Sequence, residues 1–187
     1  MNPIYFESPF QWRAWLAQNH EKESELWVGF HKKKTGQPSL VWAESVEQAL
    51  CFGWIDGIRK TVDEQRFLIR FTPRRSKSAW SKINVEIAKR LIEQGLMEEA
   101  GLREARAAEE DGRWQATYNP PSTSETPADL QKELLANPAA MEFYHTLSKR
   151  NLYAIHYRIE SAKRPETRQK RVREFVEMLS RGEKLYP

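Results

Sequence analysis

The chain has a single cysteine, Cys51, in 187 residues. An internal disulfide is therefore excluded, and so is a cysteine-based zinc site. The four histidines, His20, His31, His145 and His156, form neither an HExxH motif nor a close pair. No metal and no cofactor are expected. No apolar run approaches the ~18 residues of a membrane span. The start, MNPIYFESPFQW, lacks a basic stretch followed by an apolar one, so it does not read as a signal peptide. Together these absences place the expected location in the cytoplasm. The eight glycines form no GxxxxGK[ST] loop, which argues against ATP or GTP. A GxSxG nucleophile elbow is also missing.

What is present is a globular composition, 40% hydrophobic with seven tryptophans. The length suits one well-cored domain, or a domain with an appendage. The net charge of +4 is spread unevenly. Residues 58–90 carry ten Lys/Arg against three Asp/Glu, and 149–187 carry eleven against five. Residues 91–148 reverse the balance, four against eleven. Basic regions of this kind either attract anions or pair with the acidic middle of the chain.

Ser8-Pro9-Phe10-Gln11 reads as a helix start with a capping box, and Trp12, Trp15 and Leu16 share its buried face. Leu26, Val28 and Phe30 alternate, so a strand is expected over 25–33, ending at Thr35-Gly36. Ser45 and Gln48 suggest a second capping box and a helix ending near Gly53. A hairpin follows, with strands at 58–62 and 66–72 around Asp63-Glu64-Gln65, and Pro73 stops the pairing. Ser78 or Ser81 then caps a helix to about Gln94, with Ile83, Ile87 and Leu91 inward and Gly95 as its stop. An acidic helix is expected from about Met97 to Asp111. NPPSTSETP, 119–127, reads as a linker or strap. Beyond it the pattern is helical, with starts at Asn137-Pro138, Asn151 and Arg164-Pro165. Val172, Phe175, Val176 and Leu179 form the last apolar face. The fold class is α+β: a small antiparallel sheet with packed helices over 1–115, a Pro-rich linker at 116–127, and an all-helical region over 128–187.

Four segments, ALCFGWIDG at 49–57, RFTPRRSKSAWSKIN at 70–84, LIEQGLMEEAGL at 91–102 and AKRPETRQKR at 162–171, resemble the YdeI/OmpD-associated family of bacteriocin-protection proteins. The resemblance implies a small bacterial α+β protein with a helical C-terminal region, tied to resistance against bacteriocins or antimicrobial peptides and to stress. It carries over no catalytic residue. The family label implies contact with an outer-membrane porin, whereas this chain shows no export signal.

The residues themselves point to an anion. Pro73-Arg74-Arg75-Ser76-Lys77-Ser78 sets three cations ahead of a helix N-terminus, where unpaired N–H groups favour negative charge. Ser78, Trp80 and Asn84 extend the donor set, and Trp54 and Asp56 stand nearby in sequence. Asp56 needs a partner if buried, and Arg70, Arg74 or Arg75 can supply one. The bland alternative is a structural ion pair, with Trp80 in the core. Aromatic and basic residues together also suit base stacking, but no RNP, KH or zinc-finger pattern appears, so no specific nucleic acid is expected. Cys51 reads as an inert buried thiol, and the basic stretch Lys163–Arg173 as a solvated helix face. The functional expectation is a non-catalytic binding protein taking an anionic small molecule or an acidic protein segment at Trp54, Asp56, Arg70, Arg74, Arg75, Ser78, Trp80 and Asn84. The alternatives are a small enzyme using Asp56 with an arginine, and a nucleic-acid or protein interaction module.

Overall fold

The computed structural model describes residues 2–117 and 125–187. The chain divides into two compact units, Met1–Trp80 with Asn84–Ala116, and Ser81–Ile83 with Thr117–Pro187. Most of the expected linker, 116–127, lies outside the described residues. The fold class is α+β, with the sheet in the first unit.

The first unit runs β1 (Ile4–Tyr5), α1 (Pro9–Asn19), β2 (Leu26–His31), a short 3-10 turn, α2 (Trp42–Cys51), β3 (Trp54–Thr61), β4 (Arg66–Pro73), α3 (Lys82–Glu93) and α4 (Glu99–Glu110). The sheet order is β1-β2-β4-β3. Strands β2, β4 and β3 pair antiparallel, as expected. Strand β1 adds parallel to β2, which makes the sheet mixed rather than purely antiparallel. Two residues are too few to show an alternation, so the sequence pattern does not announce β1.

Local chemistry sets most of the boundaries. Ser8 Oγ accepts from the Gln11 N–H at 3.4 Å, while the Gln11 side chain accepts from Glu7 N–H at 2.9 Å. Helix α2 starts at Trp42, before the expected Ser45 cap. Ser45 instead lies inside the helix, its hydroxyl donating to the Trp42 carbonyl at 2.5 Å. Strand β3 begins at Trp54, not Ile58, because Gly53 turns the chain straight from helix to sheet at φ 71°. Asp63 holds the hairpin by accepting from the Gln65 and Arg66 N–H groups at 2.8 and 2.7 Å.

Register puts Leu26, Val28 and Phe30 on the same face as Phe71, Ile69 and Phe67. Helix α1 lies against that face: Trp12 stands 5.3 Å from Phe71 between ring centres and Trp15 5.8 Å from Trp54. The Trp12 and Trp54 indole N–H groups donate to the carbonyls of Ser45 and His20, at 3.0 and 3.1 Å. Both rings are thus buried with their polar atoms satisfied, and each contributes about 1.5–3 kcal/mol through burial. Helix α3 turns Val85, Ala88 and Leu91 inward, and Arg90 reaches Glu47 of α2 at 2.6 Å. Ile83, expected on that inner stripe, is 47% exposed, because an i, i+3, i+6 stripe starting at Val85 leaves it on the outer flank.

The second unit packs α5 (Ala128–Leu135), α6 (Pro138–His145), α7 (Lys149–Glu160) and α8 (Pro165–Ser180) around Leu130, Leu134, Ile155, Ile159 and Leu179. Val172, Phe175 and Val176 of α8 face inward as read from the sequence. Asn137 caps α6, accepting from Ala140 N–H at 3.1 Å. Ser148, not Asn151, caps α7. Asn151 is one turn in and 2% exposed, and its amide bonds the Tyr186 backbone, accepting from the N–H at 3.0 Å and donating to the carbonyl at 3.1 Å.

Candidate functional site

The turn after β4 gathers half of the expected site, Arg74, Arg75, Ser78 and Trp80. Its backbone is fixed at both ends: Arg74 N–H donates to Gly53 O at 2.8 Å, and Ser78 N–H to Arg75 O at 2.9 Å. The Arg74 guanidinium lies 3.8 Å above the Trp80 ring and donates to Ala79 O at 2.9 Å. Arg74 is 7% exposed and Trp80 1%, so this pair is a core element rather than a free claw. Arg75 and Lys77 remain exposed, and neither forms an ion pair among the described residues.

Behind the turn stands Trp114, its ring 5.8 Å from Trp80 in an edge-on arrangement. Arg113 joins the two segments by donating to Ser78 O at 3.1 Å, while its Nε grips Asp111 at 2.8 Å. Three buried polar atoms here, Ser78 Oγ, Trp80 Nε1 and Trp114 Nε1, have no hydrogen-bond partner among the described residues. Indole nitrogens only donate, and a hydroxyl can. The cluster therefore presents unsatisfied donors between two guanidinium groups. Sequence reasoning found Arg74, Arg75, Ser78 and Trp80 but not Arg113 or Trp114. Those two follow the acidic helix, and nothing in their spacing links them to the turn.

Asp56 occupies a different place. It pairs with Phe71 in the register, on the sheet face that the helices cover. Its carboxylate accepts from Trp42 Nε1 at 3.1 Å. Burial raises its pKa above the ordinary carboxylate value, opposed by the Trp42 hydrogen bond and by the positive charge of Arg74. The partner is thus an indole, with Arg74 acting through space. Arg70, offered from sequence as another partner, points to the opposite face: it pairs with Trp27 across the sheet and lies 3.5 Å from Glu25. Asn84 sits half-buried in the first turn of α3.

Trp54 and Arg74 also line a cleft of about 310 Å³ with His20, Glu21, Arg103 and Glu104. Two carboxylates offset two guanidinium groups there, so this cleft lacks the one-sided charge of the turn. Among the described residues, no group of His, Cys, Asp and Glu is arranged to hold a metal ion. No described helix is long and apolar enough to cross a membrane.

Residues 4–104 match the model of a family described as a domain of unknown function, DUF8412. The chain belongs to this family. Residues 123–182 match the model of a second family, described as "Bacteriocin-protection, YdeI or OmpD-Associated". The family resemblance drawn from the sequence is therefore correct, and it rests on the helical region. Of the segments that suggested it, 162–171 lies within that match, whereas 49–57, 70–84 and 91–102 lie within the DUF8412 match. No curated protein and no solved structure matches the chain. The basic turn, Asp56 and the cleft all belong to the DUF8412 part, and α5 to α8 to the bacteriocin-protection part.

Proposed function

We propose that the protein is a non-catalytic binding protein of the bacteriocin-protection type, which takes an anionic small molecule or an acidic protein segment at the turn Arg74–Ser78. The support is the donor set behind that turn: Ser78 Oγ, Trp80 Nε1 and Trp114 Nε1, buried and without acceptors among the described residues. Leaving a buried donor unsatisfied costs ~1–3 kcal/mol, which favours any acceptor that reaches these atoms. A carboxylate or phosphate brings lone pairs and, when ionised, no competing donor. Arg75 and Lys77 draw such a group toward the turn, and Arg74 and Arg113 supply fixed positive charge behind it.

The test is a titration of the intact protein with inorganic phosphate and with a short acidic peptide, followed by tryptophan emission. Saturable quenching is expected, weakening as salt rises. The exposed pair Arg75→Ala/Lys77→Ala should lose about tenfold in affinity, a 1.4 kcal/mol effect, without a change in circular dichroism. An affinity that survives the double substitution would remove the turn from the function. Arg74→Ala is unsuited to this test, because it strips a buried guanidinium from Trp80.

A further inference from the structure

The sheet ends in β1 on one side and β3 on the other. Strand β1 is two residues long, whereas β3 runs eight, and among the described residues it pairs with β4 alone. From Gly57 to Val62 every residue is exposed. Val62 N–H donates to Arg66 O at 3.1 Å. Antiparallel pairs alternate in their hydrogen bonding, so Lys60, opposite Leu68, also turns its backbone groups toward β4. The N–H and C=O of Arg59 and Thr61 therefore point away from β4, toward an edge with no strand beside it among the described residues.

Side chains along this edge alternate between two faces. Ile58, Lys60 and Val62 share one, with Ile58 56% and Val62 46% exposed. Arg59 and Thr61 take the other, in register with Ile69 and Phe67. The Arg59 guanidinium carbon lies 4.0 Å from the Phe67 ring centre, which fixes a positive charge beside the edge. Neither Arg59 nor Lys60 forms an ion pair among the described residues, whereas Arg66 and Arg70 of β4 pair with Asp63 and Glu25 at 2.6 and 3.5 Å. An open edge is a template for a further strand. Charge decides which strand. A second copy of this chain, pairing antiparallel about Lys60, would set Lys60 directly against its own counterpart, and like charges so placed are destabilising. An acidic strand gains where a second copy loses. We propose that Ile58–Val62 receives an extended acidic segment of another protein as a fifth, antiparallel strand. Its backbone bonds Arg59 and Thr61, its carboxylates face Arg59 and Lys60, and its apolar residues cover Ile58 and Val62. This site is independent of the turn Arg74–Ser78.

The register makes VTEEV the complementary core, laid antiparallel to residues 58–62. Fluorescence anisotropy of a labelled peptide with that core, titrated with the intact protein, tests the proposal. Binding should be saturable, and a VTKKV peptide should bind about tenfold more weakly, because like charges then meet. N-methylation of the second and fourth core residues, whose N–H groups face β3, should abolish binding, while methylation of the third and fifth should be tolerated. Lys60→Glu should reverse the preference between the two peptides. Thr61→Pro removes an outward N–H and no bond to β4, so affinity should fall about tenfold with circular dichroism unchanged. Should that variant misfold, the methylated peptides still decide, since they leave the protein unaltered. Every result should repeat in Arg75→Ala/Lys77→Ala, which separates the edge from the turn. Absence of binding, methylation patterns that act alike, or binding lost in Arg75→Ala/Lys77→Ala would overturn the proposal. So would a dimer on gel filtration that Thr61→Pro dissociates, because a second copy would then be the occupant.

Discussion

Burial raises the pKa of Asp56, and this gives the residue a stability signature of its own. A carboxyl with a raised folded pKa contributes its full stability below its unfolded value of 3.8. That contribution is lost as pH rises through the folded value. At neutral pH the charged Asp56 therefore destabilises the fold, even with Trp42 donating to it at 3.1 Å. Asp56→Asn keeps an oxygen for the Trp42 N–H and removes the charge. It should raise the melting temperature at pH 7 by about 1–3 °C, as a sub-kilocalorie change does in a chain of this size. The gain should vanish toward pH 3.5, where the aspartate is itself protonated. Thermal melts of both proteins at the two pH values decide the matter. A loss of stability at pH 7 would mean that the attraction of Arg74 outweighs desolvation, and that Asp56 is a structural anchor.

At the level of elements, α4 packs tightly against the end of α2 at Gly101. A Cβ on Gly101 would overlap the carbonyl oxygens of Leu50 and Cys51, which are backbone atoms unable to step aside. Gly101→Ala should thus cost ~2–3 kcal/mol, where an exposed helical glycine would gain from the same change. Chemical denaturation should show a lower midpoint at unchanged slope. A neutral or stabilising result would mean that the two helices separate readily. The GLMEEAGL segment, 95–102, contains this glycine, but its role depends on a neighbour some fifty residues away in sequence. The same limit governs the rest of the reading. Capping residues such as Ser8 and Asn137, the alternation of β2 and the apolar stripe of α8 are local, and they were legible. The partner of Asp56 was not. A β-bulge between Asp56 and Arg59 interrupts the alternation of β3, so parity along the strand does not reveal which face each side chain takes. Nor does spacing show that Trp114 backs Trp80, or that Arg70 lies across the sheet from Asp56.

At the scale of the whole chain, the two units differ in what they report and in what titrates. All seven tryptophans, Trp12 to Trp114, lie in the first unit. The helical unit has none, but it buries a polar chain in which Thr126 Oγ lies 2.8 Å from Tyr144 Oη, and Tyr144 Oη 2.7 Å from His156 Nε2. With His156 neutral, the tyrosine hydroxyl donates to Nε2. Protonation turns Nε2 into a donor and reverses the demand on that hydroxyl. Burial lowers the His156 pKa below its ordinary 6.5. The sign follows: above pH 6.5 neither state binds the proton and nothing is lost. Below it the unfolded chain takes up the proton first, so stability falls until the folded pKa is reached. If the two units also fold as separate domains, as the expected linker at 116–127 proposes, acid should act on one and largely spare the other. Thermal unfolding between pH 7 and pH 5 should then show a far-ultraviolet circular dichroism transition that moves to lower temperature while the tryptophan emission transition does not fall. His156→Gln, which cannot protonate, should abolish the shift. Transitions that coincide at both pH values would mean a single cooperative fold.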